Sequence, residues 1–254
     1  MIKFFRKIRQ KKLMDNKFSK YLLYAIGEII LVVIGILIAL QINNWNQARI
    51  ENNEERIALL NLKQDFDFNY ETLDGFITQT ESTKTSQLII LNHTGNKPKP
   101  KKEEEFNILL NRSLSLKEYF PRNGSLDELL SSGKLRIIKN QRLRKFLSSW
   151  HPLFENIKTR EKTVLRDIYK INEYTLTKAS WLNVDAVVGT SPSKNNSYPK
   201  SGFKIDNRSL LNELEFENMI ENASYQNDLL INQQKIGLEL VKEIIELIEK
   251  EIKE

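Results

Sequence analysis

The chain has 254 residues, of which 40% are hydrophobic and 28% charged, a composition typical of folded rather than disordered proteins. It contains no cysteine, which excludes disulfides, thiolate zinc sites and cysteine nucleophiles. Only nine glycines and six prolines among many Leu, Ile, Glu and Lys residues favour long helices.

The net charge of +6 is concentrated at the N-terminus. Residues 1–20 hold eight lysines and arginines against one acid, Asp15. The other 234 residues carry 31 basic and 32 acidic side chains, a net charge of −1. Because a nucleic-acid-binding domain needs a basic face, we expect no nucleic-acid partner. We interpret residues 1–20 as a basic cytoplasmic tail.

The segment from Leu22 to Ile42 has the length and composition of a membrane span. Its 21 residues would form a helix of roughly 31 Å, which matches a hydrocarbon core of about 30 Å. Fourteen of these residues are Leu, Ile or Val, and they contribute very roughly −6 kcal/mol to insertion. Glu28 opposes insertion by about 3 kcal/mol at most. We therefore predict a transmembrane helix over residues 21–43.

A cleaved signal peptide and a buried core helix are the alternatives for this segment. Cleavage needs small residues at positions −3 and −1, which Ala39-Leu40-Gln41 does not supply. A core helix that is apolar on every side would rarely follow such a basic leader. We interpret the segment as an uncleaved signal anchor. The positive-inside rule then places the N-terminus in the cytoplasm and residues 44–254 outside it.

One face of the span combines small residues with an acid. Gly35 and Ala39 form a small-xxx-small step, Gly27 lies eight residues before Gly35, and Glu28 lies seven residues before it. Several interpretations of Glu28 stay open: it is protonated, hydrogen-bonded across an oligomer or paired with a basic partner, or it snorkels towards the lipid headgroups beside Lys20. The predicted partners here are membrane lipid and a homo-oligomer formed through Gly27, Glu28, Gly35 and Ala39.

The N-terminal stretch MIKFFRKIRQKK, followed by NKFSKYLLYAIGEIILVVIGILIALQINNWN, resembles an uncharacterised family of membrane-anchored proteins in Bacteroidota. A second segment, SLDELLSSGKLRIIKNQRLRKFL, resembles another recurrent part of that family. The resemblance implies an anchor in a Gram-negative inner membrane and a helical domain in the periplasm. It implies no catalytic, cofactor-binding or metal-binding residues.

Beyond the span, the pattern predicts that the helix continues as an amphipathic stalk over residues 44–91. No proline occurs before Pro98, and apolar or aromatic residues recur at steps of three or four, at Leu59, Leu62, Phe66, Tyr70, Leu73 and Ile77. The spacing is not a strict heptad, so ordinary core packing is favoured over a coiled-coil seam.

The next segments read as a loop and two short helices. Residues 92–105 are predicted to form a loop. Its lysines either bind an anion or are simply hydrated; they are Lys97, Lys99, Lys101 and Lys102. A short helix is predicted from Glu103 to Leu116. Ser125 and Glu128 form a capping box for another helix, which Gly133 can end in the left-handed conformation.

Asn140 is the predicted N-cap of a helix that runs towards Ser180, with a kink or a break at Pro152. Residues 183–207 are predicted as a long non-helical stretch, either a small hairpin around Val184 to Val188 or a surface loop. Because long loops tend to be functional, this stretch is the predicted recognition element.

Helices are predicted to resume near Arg208, and the last one is predicted from about Tyr225 to Lys253. The fold class is thus mainly α: one N-terminal transmembrane helix continues into a stalk, followed by an antiparallel helical bundle over about residues 103–254.

Few side chains suggest chemistry. The two histidines, His93 and His151, have no second histidine at metal-ligand spacing. The grouped carboxylates have the spacing of hydrated helix surfaces: Asp65 and Asp67; Asp127 and Glu128; Glu213, Glu215 and Glu217. We therefore predict no catalytic, metal or cofactor-binding residues and no cofactor.

The sequence favours a non-enzymatic, single-pass inner-membrane protein whose periplasmic helical domain acts as a binding, scaffold or sensory module. The expected partner is an envelope protein, an envelope polymer or a small ligand. A membrane-tethered hydrolase acting on envelope material is the first alternative, and it requires carboxylates that converge near His93 or His151. An oligomeric membrane-complex subunit that uses Glu28 is the second.

Overall fold

The computed structural model describes residues 2–189 and 198–253, with side chains described for Leu22 and from Ala25 onwards. The helices are α1 (Ile2–Leu91), α2 (Glu103–Ser113), α3 (Gly124–Ser131), α4 (Gln141–Lys178), α5 (Trp181–Val188) and α6 (Leu214–Lys253). Two short 3₁₀ helices cover Lys134–Ile137 and Asn207–Asn212. No strand occurs within the described residues, and the mainly α prediction is confirmed.

The chain divides into two compact units, Met1–Arg56 and Ile57–Glu254. The first unit holds the apolar segment, whose described leucine, isoleucine and valine side chains are exposed from Ile26 to Ile42. Within the described residues, one helix is long and apolar enough to cross a membrane, and none of its most apolar stretch is buried. The helix ends at Leu91, where the sequence predicts the end of the stalk.

The second unit is built on three long helices, the last part of α1, α4 and α6, and α6 runs antiparallel to the other two. The Nζ atom of Lys63 on α1 lies 3.1 Å from Glu249 Oε1 on α6, whereas Lys84 pairs with Asp228, so the two helices run in opposite directions. Near the end of α4, Lys178 Nζ lies 3.6 Å from Glu213 Oε1, just before α6 begins. The predicted antiparallel arrangement is therefore confirmed.

The core of this unit forms three apolar clusters along the bundle. One contains Leu62, Phe66 and Trp150, the second contains Phe106 and Phe216, and the third contains Ile157 and Leu230. Apolar burial of this kind contributes about 25 cal/mol per Å² and is the main stabilising term for the bundle.

The α4 helix passes through Pro152 without a break. Proline removes one hydrogen bond and costs roughly 3 kcal/mol in a helix interior. Aromatic residues on both sides of Pro152 stabilise the helix. Trp150 stacks on Phe154 with ring centroids 6.3 Å apart, and Trp150 also packs edge-on against Phe66 at 5.7 Å. The predicted break is wrong because tertiary packing outweighs the local cost.

The predicted capping box of Ser125 and Glu128 is also wrong, whereas the predictions for Gly133 and Asn140, which follow it in the chain, are confirmed. The α3 helix begins at Gly124, after Asn123, and the backbone N–H of Ser125 donates to Asp65 Oδ2 at 2.9 Å. A carboxylate from α1 thus satisfies a free N–H of the first turn. Gly133 does adopt the left-handed conformation, with φ of 67°. Asn140 caps α4 by accepting from Leu143 N at 3.0 Å.

The prediction of a non-helical stretch over residues 183–207 is wrong at its beginning, and the hairpin around Val184 is wrong as well. Helix α5 covers Trp181–Val188, with Ser180 accepting from Asn183 N and Gly189 closing the helix at φ of 67°. Burial of Val184 holds it against the second cluster. Residues 198–206 are irregular as predicted, and residues 190–197 lie outside the described part.

The last helix begins eleven residues earlier than predicted, at Leu214 rather than Tyr225. Glu215 and Glu217 occupy its first turn, where the positive end of the helix dipole favours acids. Phe216 and Ile220 bury this extension in the second cluster.

Candidate functional site

The two histidines have different partners. His93 follows α1, and its Nδ1 lies within hydrogen-bond distance of the carbonyl oxygen of Pro98. His151 lies on α4, and its Nε2 lies 2.9 Å from Asp127 Oδ1 on α3. His151 is therefore paired with one carboxylate, and His93 lies beside a backbone carbonyl. The convergence of carboxylates required by a hydrolase is not among the described contacts.

The carboxylates that lie close together in sequence each bond to a different partner, and these bonds stabilise the fold. Asp65 accepts from the start of α3, and Asp67 forms an ion pair with Lys63 at 2.8 Å. Glu217 accepts from Thr94, which ties α6 to the loop after α1. Among the described residues, no group of three His, Asp or Glu side chains is placed to hold a metal ion.

The loop lysines divide into structural and peripheral ones. Lys99 Nζ donates to the carbonyl oxygens of His93, Gly95 and Leu211 at 2.7–2.9 Å. Desolvation lowers the pKa of Lys99 below its usual 10.5, partly opposed by Glu217. Lys97 donates to the carbonyl of Leu91 at the end of α1, where the helix dipole favours a cation. These two lysines stabilise the loop, so the interpretation of all four as hydrated or anion-binding is incomplete.

Glu161 is a buried acid that no sequence pattern singled out. It is 0% exposed, accepts from the backbone N–H of Tyr119 at 3.1 Å, and has Lys158 Nζ 3.1 Å from its other oxygen. Burial raises the pKa of this carboxyl, and Lys158 opposes that shift. The only sequence signal was an acid at helical spacing from the apolar residues Ile157 and Val164.

One groove, of about 640 Å³, has both polar and apolar walls. We call it the amide groove, and it is lined by Asn111, Leu114, Ser115, Leu116, Asn172, Leu176 and Trp181. The volume lies within the range of about 300–1,000 Å³ that is usual for small-ligand sites. Its residues come from α2 and the segment after it, from α4, and from the start of α5.

The side chains that line the amide groove differ in whether hydrogen bonds to the rest of the protein fix their orientation. Trp181 donates its indole N–H to Thr175 Oγ1 at 3.2 Å, which orients the ring. Ser115 Oγ accepts from Gln79 on α1 at 3.3 Å. The side-chain amides of Asn111 and Asn172 form no hydrogen bond with any described residue. Leu176 is 67% exposed at the rim.

A second groove, of about 600 Å³, lies between α4 and the start of α6. It contains Asp167, whose side chain is 6% exposed and accepts from Asn222 at 2.8 Å. Arg166 and Lys170 approach the same carboxylate at 3.5 and 4.0 Å. Asp167 and Asn222 therefore bond to each other, whereas the side-chain amide of Asn218 in the same groove forms no hydrogen bond with any described residue.

Sequence reasoning missed the amide groove, because none of its residues belongs to a recognisable motif. Asn172 lies four residues after Ile168 and four before Leu176, which marks it only as part of one helix face. Asn111 lies 61 positions away on another helix.

These features define a mainly α protein that joins one apolar helix, able by length and composition to cross a membrane, to a helical domain with an open groove. Residues 28–228 match the model of DUF6090, a family of unknown function. The match covers most of the chain, so the protein belongs to this family. The comparison with curated proteins finds no match, and neither does the comparison with solved structures.

Proposed function

We propose that this protein is a single-pass inner-membrane protein of Bacteroidota whose helical domain lies in the periplasm and binds an envelope ligand without catalysis. The observation that carries the binding role is the amide groove, with two amides that are free of described partners beside leucine and tryptophan side chains. A few polar groups within an apolar surface are the usual composition of a ligand site.

The proposed topology rests on the exposed apolar side chains of residues 26–42 and the basic residues before them. A non-catalytic role is supported by the use of Asp65, Asp127 and Glu217 in contacts that hold the fold.

Two experiments test this function. A reporter enzyme that is active only outside the cytoplasm, fused after Lys253, is expected to be active, and an inactive fusion would contradict the topology. A photoreactive residue at Leu176, 67% exposed at the groove, is expected to form an adduct in living cells. The same residue at Ile236, 57% exposed and outside the groove, is the matched control. Equal adducts, or none, at both positions would contradict ligand binding in the groove.

A homo-oligomer formed through the span is a second candidate role. Glu28 is exposed on the described helix and lies seven residues from Gly35, hence on nearly the same face. An acid in a span is costly unless it is paired or reaches water, which favours a helix partner. Glu28→Gln and Gly35→Leu are expected to weaken crosslinking between copies in the membrane. Leu37→Ala, on the opposite face, is the control, and identical crosslinking in all three variants would argue against this role.

A further inference from the structure

The amides of Asn111 and Asn172 offer unused hydrogen-bonding capacity in the amide groove. Each side-chain amide has two donor hydrogens and an acceptor oxygen, and neither amide bonds to any residue that the structure describes. They are contributed by α2 and α4, two separate helices of the domain. A ligand that presents its own donors and acceptors could therefore bind both helices at once.

Most of the remaining lining of the amide groove is apolar or aromatic. Leu114, Leu116 and Leu176 line it together with Trp181, whose indole is oriented by its hydrogen bond to Thr175. An aromatic face carries partial negative charge and attracts weakly positive C–H groups, while leucines suit methyl groups. The ligand should therefore present C–H surfaces and small apolar groups beside its polar ones.

Charge further restricts the ligand. None of the seven lining residues is ionisable. A phosphate or an ammonium group entering the groove would lose hydration without gaining a counter-charge from the lining, which is unfavourable. The ligand face that enters should be uncharged.

We propose that the amide groove binds a chain of N-acetylated amino sugars, and this inference rests on the ligand-binding role proposed above. An acetamido group pairs a donor and an acceptor with the asparagine amides, and its methyl group suits the leucines. The pyranose ring presents C–H groups to Trp181. The open form and the volume of about 640 Å³ suit a chain that passes through rather than a single enclosed ring.

Binding is tested with the full chain in a detergent that has no sugar headgroup. The probe is the β-1,4-linked tetramer of N-acetylglucosamine, and the matched ligand is cellotetraose, which has the same linkage without acetamido groups. Isothermal titration calorimetry is expected to show saturable binding of the tetramer and at least tenfold weaker binding of cellotetraose. No binding of the tetramer, or equal binding of both ligands, would overturn the inference.

Variants locate the binding. Asn111→Leu and Asn172→Leu each remove an amide at similar size and are expected to weaken binding by about threefold to tenfold. Asn218→Leu makes the same change in the second groove and should leave affinity unchanged. Asn172→Ser, which is smaller and still polar, tests the site if a leucine variant fails to fold. Unchanged affinity in folded Asn111 and Asn172 variants would overturn the assignment to this groove.

The two proposals fail differently. If the tetramer does not bind but the photoreactive residue at Leu176 still forms its specific adduct in cells, the sugar class is wrong and the binding role stands. An adduct with an uncharged peptide segment would likewise overturn the sugar class and leave the binding role intact. If neither the tetramer binds nor the adduct forms, both proposals are overturned.

Discussion

Replacing Gln87 by leucine should destabilise the helical domain through the partners that it leaves behind. Gln87 is fully buried on α1, donates to the carbonyl of Ser113 at 2.8 Å, and accepts from the amide of Asn227 on α6 at 3.0 Å. Leucine has a similar size but neither hydrogen-bonding group. Each buried group left without a partner costs about 1–3 kcal/mol, so we expect Gln87→Leu to lower the free energy of unfolding by about 2–5 kcal/mol.

The partner substitution makes this prediction a sharper test. Asn227→Leu alone leaves the Gln87 oxygen unpaired, but it also removes Asn227 Oδ1, which is buried without a partner among the described residues. We therefore expect a smaller loss, of about 1 kcal/mol. The double variant should be less destabilised than the sum of the two single variants by about 1–3 kcal/mol, since neither side chain is then left unpaired by the other.

The assay is guanidinium unfolding of the full chain in detergent, followed by near-ultraviolet circular dichroism, which reports the packing around Trp150. Gln79→Leu is the control, because Gln79 is half-buried and makes one long bond to Ser115 at 3.3 Å. It should cost less than about 1 kcal/mol. Strict additivity of Gln87→Leu and Asn227→Leu would refute the inferred coupling, and so would a Gln87→Leu effect no larger than the control.

Three further predictions concern single sites. Asn140→Ala should cost about 1 kcal/mol or more of unfolding free energy, because it removes the N-cap of α4 and the bond to Glu251, whereas Asn140→Ser, which also loses the bond to Glu251, should retain the cap and cost less; equal losses would contradict the capping role. Glu161 has a raised pKa, so the folded state holds its proton above pH 4.5 while the unfolded state releases it, and stability should fall as pH rises from about 4.5 through the folded-state pKa. Subtracting the pH profile of Glu161→Gln should isolate this fall, and parallel profiles would refute it. Lys99→Met should cost about 1–2 kcal/mol by removing three carbonyl contacts, and Lys101→Met, measured beside it by thermal unfolding, should cost less than about 0.5 kcal/mol; the reverse order would contradict the structural role of Lys99.

Local signals predicted many of the helix boundaries. The end of α1 at Leu91 precedes a run of Gly, Pro and Lys residues, the start of α2 at Glu103 follows that run, and the cap at Asn140 is a side-chain property. Capping and chain-breaking act over a few residues, so a single sequence carries them.

Where the sequence predictions were wrong, distant contacts had outweighed local preference. The α5 segment WLNVDAVV is rich in β-branched residues next to Gly189, yet burial of Val184 in the second cluster makes it helical. The start of α3 is satisfied by Asp65, 60 positions earlier, rather than by its own Ser125. The α4 helix continues through Pro152 because Trp150 and Phe154 pack around it.

The sequence by itself determined the apolar N-terminal segment and the helical class, because transfer free energy and helix propensity are sums over neighbouring residues and need no tertiary partner. Only the tertiary structure decided which polar groups are used and which remain free. It paired Gln87 with Asn227, buried Glu161 where the backbone N–H of Tyr119 donates to it, and brought Asn111, Asn172 and Trp181 together in one groove. These contacts join residues tens of positions apart, and their energies depend on burial that exists only once the helices have packed.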